Sequence, residues 1–82
     1  MKKLNYKTWP LNKIISVANE LSQSGSTAAS TGERIAAAFV LNRMEYLPDM
    51  YTDVVEAWDR LGEEWQTCVK AIKQDGMHLI KR

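Results

Sequence analysis

Between residues 54 and 72 the apolar side chains Val54, Trp58, Leu61, Trp65, Cys68 and Ile72 recur at alternating steps of four and three, the period of a single helix face. At about 100° per residue they fall within an arc of about 80°. Asp49, Asp53, Glu56, Arg60 and Glu63 gather on roughly the opposite side, so the segment is built to bury one face. It predicts a long amphipathic helix over about residues 49–74. Asp49 or Asp53 can cap its start, acids in its first turns favour the positive end of the helix dipole, and Gly76 can stop it. Gly62 falls inside the segment, where it costs about 1 kcal/mol relative to alanine. A glycine there can divide the segment into helices 49–61 and 63–75. The stripe stays in phase across it, which favours one helix bent at Gly62. The rival reading of the end, a hairpin through Asp75 and Gly76, has poor strand alternation behind it.

Two shorter helices are expected upstream. Leu11, Ile14, Ile15, Ala18 and Leu21 mark the buried face of the first. Thr8 can cap it and Pro10 can occupy its first turn. It should end near Gln23, with Gly25 free to adopt the left-handed turn. Ser30 and Glu33 have the spacing of a capping box and should open the second helix. Ile35, Ala38, Phe39, Asn42 and Tyr46 lie along one face of it, and Ala36, Ala37 and Ala38 permit close approach of a neighbour. Pro48 disfavours helical geometry at Leu47 and is expected to end it. Residues 1–9 alternate weakly and read as an extended basic tail. Residues 22–31, rich in Ser, Thr, Ala and Gly, read as a flexible linker. That stretch lacks the lysine of a P-loop and the glycine spacing of a dinucleotide fingerprint, so phosphate binding is not expected of it. The fold class is all-α: a single domain over residues 1–82 with three helices, the third longest.

Length changes the picture by limiting stability. A chain of 82 residues hides only about 60 to 65% of its unfolded surface on folding. Its single cysteine, Cys68, excludes an internal disulfide. Cys68 and His78 together fall short of the four ligands of a closed zinc site. Neither a metal nor another cofactor is expected. Self-association, most simply a homodimer, is the remaining support. A lone thiol fits a reducing compartment. No apolar run of seven or more residues follows Lys2 and Lys3, so neither an export signal nor a membrane span is expected, and the location expected is cytoplasmic.

The net charge of +1 hides segregation along the chain. Lys2, Lys3, Lys7 and Lys13 give the first thirteen residues +4. Residues 45–64 hold seven acids against Arg60, and residues 65–82 return to +3. Acidic and basic surfaces on one small molecule can pair with each other, with a second copy, or with a partner.

Candidate chemistry is sparse. Cys68 and His78 could serve as nucleophile and base, but Cys68 belongs to the apolar stripe and no third orienting group is identifiable. Glu63 and Glu64 point about 100° apart on a helix and do not converge as an acid and base must. No catalytic activity is expected. Trp58, Leu61, Trp65 and Ile72 are candidate interface residues, the tryptophans also being natural core residues. Asp49, Asp53, Glu56 and Glu63 form a candidate acidic face toward a partner, either as a solvated helix face or as a mimic of DNA. Lys2, Lys3 and Lys7 form a candidate basic tail. A helix-turn-helix across Leu47, Pro48 and Asp49 would present acids to phosphates, the wrong charge for recognition. The expected function is therefore that of a small interaction or regulatory protein, of the accessory kind found in bacteria and their phages, self-associating through the stripe. The alternative is a nucleic-acid-associated regulator using the basic termini.

Overall fold

The second helix begins where Ser30 and Glu33 place it. The Glu33 N–H donates to Ser30 Oγ at 3.3 Å and the Ser30 N–H donates to Glu33 Oε1 at 3.1 Å, so two amides left unpaired by the helix start are satisfied reciprocally. A computed structural model describes residues 5–81 of the chain. It has three α-helices, α1 (Leu11–Ser24), α2 (Thr31–Leu41) and α3 (Val54–Ala71), and no strand among the described residues. A 3₁₀ turn at Met44–Tyr46 lies between α2 and α3. A π turn at Ile72–Gly76 and a 3₁₀ turn at Met77–Leu79 carry helical winding beyond the end of α3. The fold is all-α.

The first helix differs from expectation at its start. Pro10 stands just outside it as the N-cap, and Thr8 gives it no side-chain cap: the Thr8 hydroxyl donates instead to the Asn5 carbonyl at 2.7 Å. Gly25 ends it in the left-handed conformation, φ 77°. The second helix ends well before Pro48. Asn42 takes the left-handed conformation, and the Arg43 N–H reaches back to the Ala38 carbonyl at 3.0 Å, the bond pattern of a Schellman stop. Asn42 is thus a cap and not a member of the buried face, and residues 42–53 separate α2 from α3. So long a connection removes the helix-turn-helix reading, which needs a turn of about three or four residues.

The middle helix carries the core. Ile35, Ala36, Ala37, Ala38 and Val40 are all buried, because α2 packs against α1 on one side and α3 on the other. The alanines let both neighbours approach closely. Ile14, Val17, Ala18 and Leu21 of α1 fill one side.

The third helix begins at Val54, not near 49. Asp53 is its N-cap: the Val55 N–H donates to Asp53 Oδ1 at 3.0 Å. It is also broken in phase at Gly62, whose φ of 78° and ψ of 164° lie outside the helical region, in a basin that only glycine occupies without strain. Before the break the buried residues are Ala57 and Leu61; after it they are Val69, Ile72 and Gly76. The continuous stripe is therefore not one buried line. Val54 is exposed, and Trp58, Trp65 and Cys68 are half-buried at the margins of the core. Across the break, Gln66 Nε2 donates to the Trp58 carbonyl at 2.8 Å. Gln66→Ala should lower the unfolding free energy by about 0.5 to 1.5 kcal/mol, measured as a shift of the urea midpoint without a change in slope.

Residues 5–9 do not extend away from the fold as a tail. They turn, and the Tyr6 ring settles on Gly76 while its hydroxyl donates to the Ala71 carbonyl at 3.2 Å. Burial, and then the Asp75 carboxylate, hold the Tyr6 phenol above its ordinary pKa. Trp9 meets Trp65 edge-on, with centroids 5.7 Å apart. The other end is fastened to α1: Asn19 accepts from the Lys81 N–H at 2.6 Å and donates to the Leu79 carbonyl at 3.3 Å. Lys2 and Lys3 lie outside the described residues. Residues 22–24, expected in the linker, belong to α1.

Candidate functional site

The turn before α3 and the first turn of α3 hold three of the five large hydrophobic side chains exposed among the described residues, the others being Trp9 and Leu79. The Tyr51 N–H donates to the Pro48 carbonyl at 2.9 Å, closing a turn that lifts Asp49 and Met50 to the surface. In this half of α3, Ala57 and Leu61 point into the core. At about 100° per residue, Val54 and Trp58 then lie on one flank, Val55 stands further round, and Asp59 and Glu56 come next. Cover from α2 reaches only as far as Trp58, which meets Phe39 edge-on at 5.0 Å. Met50 is left 70% exposed, Val55 64% and Val54 44%. Around them Asp49, Asp53, Glu56 and Asp59 are exposed, and none of these carboxylates forms an ion pair among the described residues.

Of the concavities elsewhere among the described residues, one of 360 Å³ lies beside Leu41, Asn42, Lys73 and Met77, and two others are larger. One, of 480 Å³, sits between the Trp9 and Trp65 rings, Arg60 and the start of α2. The Glu33 carboxylate already occupies the amide end of that helix, so an anion approaching it would meet a negative charge. The other is an open groove of 840 Å³ bordered by Tyr6, Asn12, Ile15, Asn19, Gln23 and Leu79. Both ends of its central amide, Asn19, are already bonded to backbone.

Cys68 is half-buried in α3, and burial, helped by the Glu64 charge, pushes its thiol above the ordinary value. That favours the neutral thiol over the nucleophilic thiolate. Among the described residues no three His, Cys, Asp or Glu side chains come together as metal ligands. No helix among them is long and apolar enough to cross a membrane.

The sequence-derived interface residues separate accordingly. Ile72 is fully buried and Leu61 nearly so, so neither offers surface to a partner; Trp58 and Trp65 each keep a partly open edge. Of the acidic set, Asp49, Asp53 and Glu56 border the apolar patch, whereas Glu63 stands beyond the kink on the other arm of α3. Lys7 is exposed. Met50 and Val55 fall outside the stripe, and the available signal was the pair Val54 and Val55, two adjacent apolar residues that no single helix face can bury together. Compared with models of protein families, with curated proteins and with solved structures, the chain matches none.

Proposed function

We propose that this chain is a non-catalytic protein-interaction module, regulatory or accessory to a larger partner, whose contact surface is the start of α3. The observation that carries this reading is the exposure of Met50, Val54 and Val55, close together in sequence at the start of α3, in a chain whose other aliphatic side chains mostly fill its core. Apolar surface gathered at one place and rimmed by polar groups is the form of a protein contact. The domain's radius of gyration, 11.7 Å, is that of a compact single chain of this length. The patch is therefore surplus to the core of one copy.

Crosslinking tests it. A photoreactive amino acid placed at position 55, in the native host, should yield a discrete protein adduct that the same residue at Lys13, exposed on α1, does not. Identical adducts from both positions would remove the reading. Val55→Asp should abolish adducts formed from position 54 while leaving stability within about 0.5 kcal/mol, as for an ordinary surface change. A second copy is one possible adduct, recognisable by twice the mass of 9.4 kDa.

A further inference from the structure

Resting on that reading of the start of α3 as a contact surface, we propose that its occupant is a cationic amphipathic helix of another protein, its apolar stripe on Met50, Val54 and Val55 and its lysines or arginines against Asp49, Asp53, Glu56 and Asp59. The argument is complementarity of both kinds at one place. Val54 and Val55 open α3 and Met50 stands in the turn just before it, a short apolar strip of the kind that the i, i+3 and i+4 residues of a second helix cover. It is bordered by acids without ion-pair partners among the described residues, and Arg60 is the one cation between residues 49 and 64.

The same charges discriminate against other occupants. In a two-fold dimer the same patch meets itself, and the four acids of one copy would then face the four of the other, like charges at close range. An anionic lipid surface or a nucleic acid would meet the same repulsion. A cationic helix turns each of these unfavourable encounters into a favourable one. It also makes the rim act mainly on the rate of association, which salt then slows.

The test uses the full chain and a fluorescein-labelled peptide of 18 leucine and lysine residues, about five turns, with leucines on one face. Fluorescence anisotropy should show saturable binding that weakens as sodium chloride rises. A leucine/glutamate peptide of the same pattern should not bind, and a leucine/lysine peptide of permuted order, without an apolar face, should bind at least about tenfold more weakly. Val55→Asp should weaken binding of the first peptide about tenfold or more. The double change Glu56→Lys with Asp59→Lys, which spares the Asp53 cap, should do likewise and should also gain binding of the leucine/glutamate peptide, a gain that misfolding cannot imitate. Equal binding of the lysine and glutamate peptides by the unaltered chain would overturn the charge assignment and leave the contact surface standing. Equal binding of the permuted peptide would overturn the amphipathic requirement. Undiminished binding by Val55→Asp would overturn the site itself, and the contact-surface reading with it. A dimer in sedimentation that Val55→Asp dissociates would identify the occupant as a second copy and overturn the cationic partner, while upholding the contact surface.

Discussion

Ile72→Ala should lower the unfolding free energy by about 2 to 5 kcal/mol. Ile72 is fully buried at the close of α3, within the same core cluster as Ile14, Leu21 and Ile35. Truncation removes the transfer energy of the lost carbons and leaves a cavity that the rigid alanine-rich α2 can only partly close. Val54→Ala, at the other end of the sequence stripe, should cost far less, because that side chain is 44% exposed. Urea denaturation of both variants separates the two expectations. A single straight helix with its stripe buried throughout predicts comparable losses; comparable midpoints would show that the break in phase at Gly62 is absent.

Gly62→Ala offers a test in which the sign decides. Were Gly62 an ordinary interior residue of a helix, alanine would stabilise the protein by about 1 kcal/mol. In the observed conformation, φ 78° and ψ 164°, alanine should destabilise it by about 1 to 3 kcal/mol. Nothing lies within 4 Å of the position a Cβ would take, so the cost resides in the backbone and not in a collision. D-alanine, introduced by chemical synthesis, tolerates positive φ and should recover most of the loss measured for the L form. A stabilising L-alanine would overturn the kink.

Much of the fold was legible because it rests on local chemistry. The Ser30 and Glu33 box, the Gly25 stop and the Asp53 cap each depend on a few neighbouring residues, and all occur as their residue types require. The end of α2 was hidden because two stop signals compete: Pro48 forbids helix only just before itself, while Asn42, which tolerates the left-handed conformation, acts first. The stripe misled because periodicity assumes an unbroken helix. Once Gly62 leaves the helical region, Val69 joins Ile72 in the core, and Trp58 and Trp65 move to its edges to meet Phe39 and Trp9. The acidic rim was visible in the sequence. The apolar patch within it was not, because Val55 and Met50 stand out only when the reach of α2 is known.

The seating of Tyr6 on Gly76 joins two positions seventy residues apart into one heritable unit. A Cβ at position 76 would stand 3.1 Å from Tyr6 Cε1 and 3.3 Å from Cζ, so a side chain there requires the ring to shift by a few tenths of an ångström. The two sites should covary among any descendants of this sequence, with glycine at 76 kept while an aromatic residue remains at 6, and a larger residue at 76 appearing only beside a smaller one at 6. The two changes should be energetically coupled, the pair costing less than the sum of the single changes. A drifting lineage would then cross most easily at these two positions together.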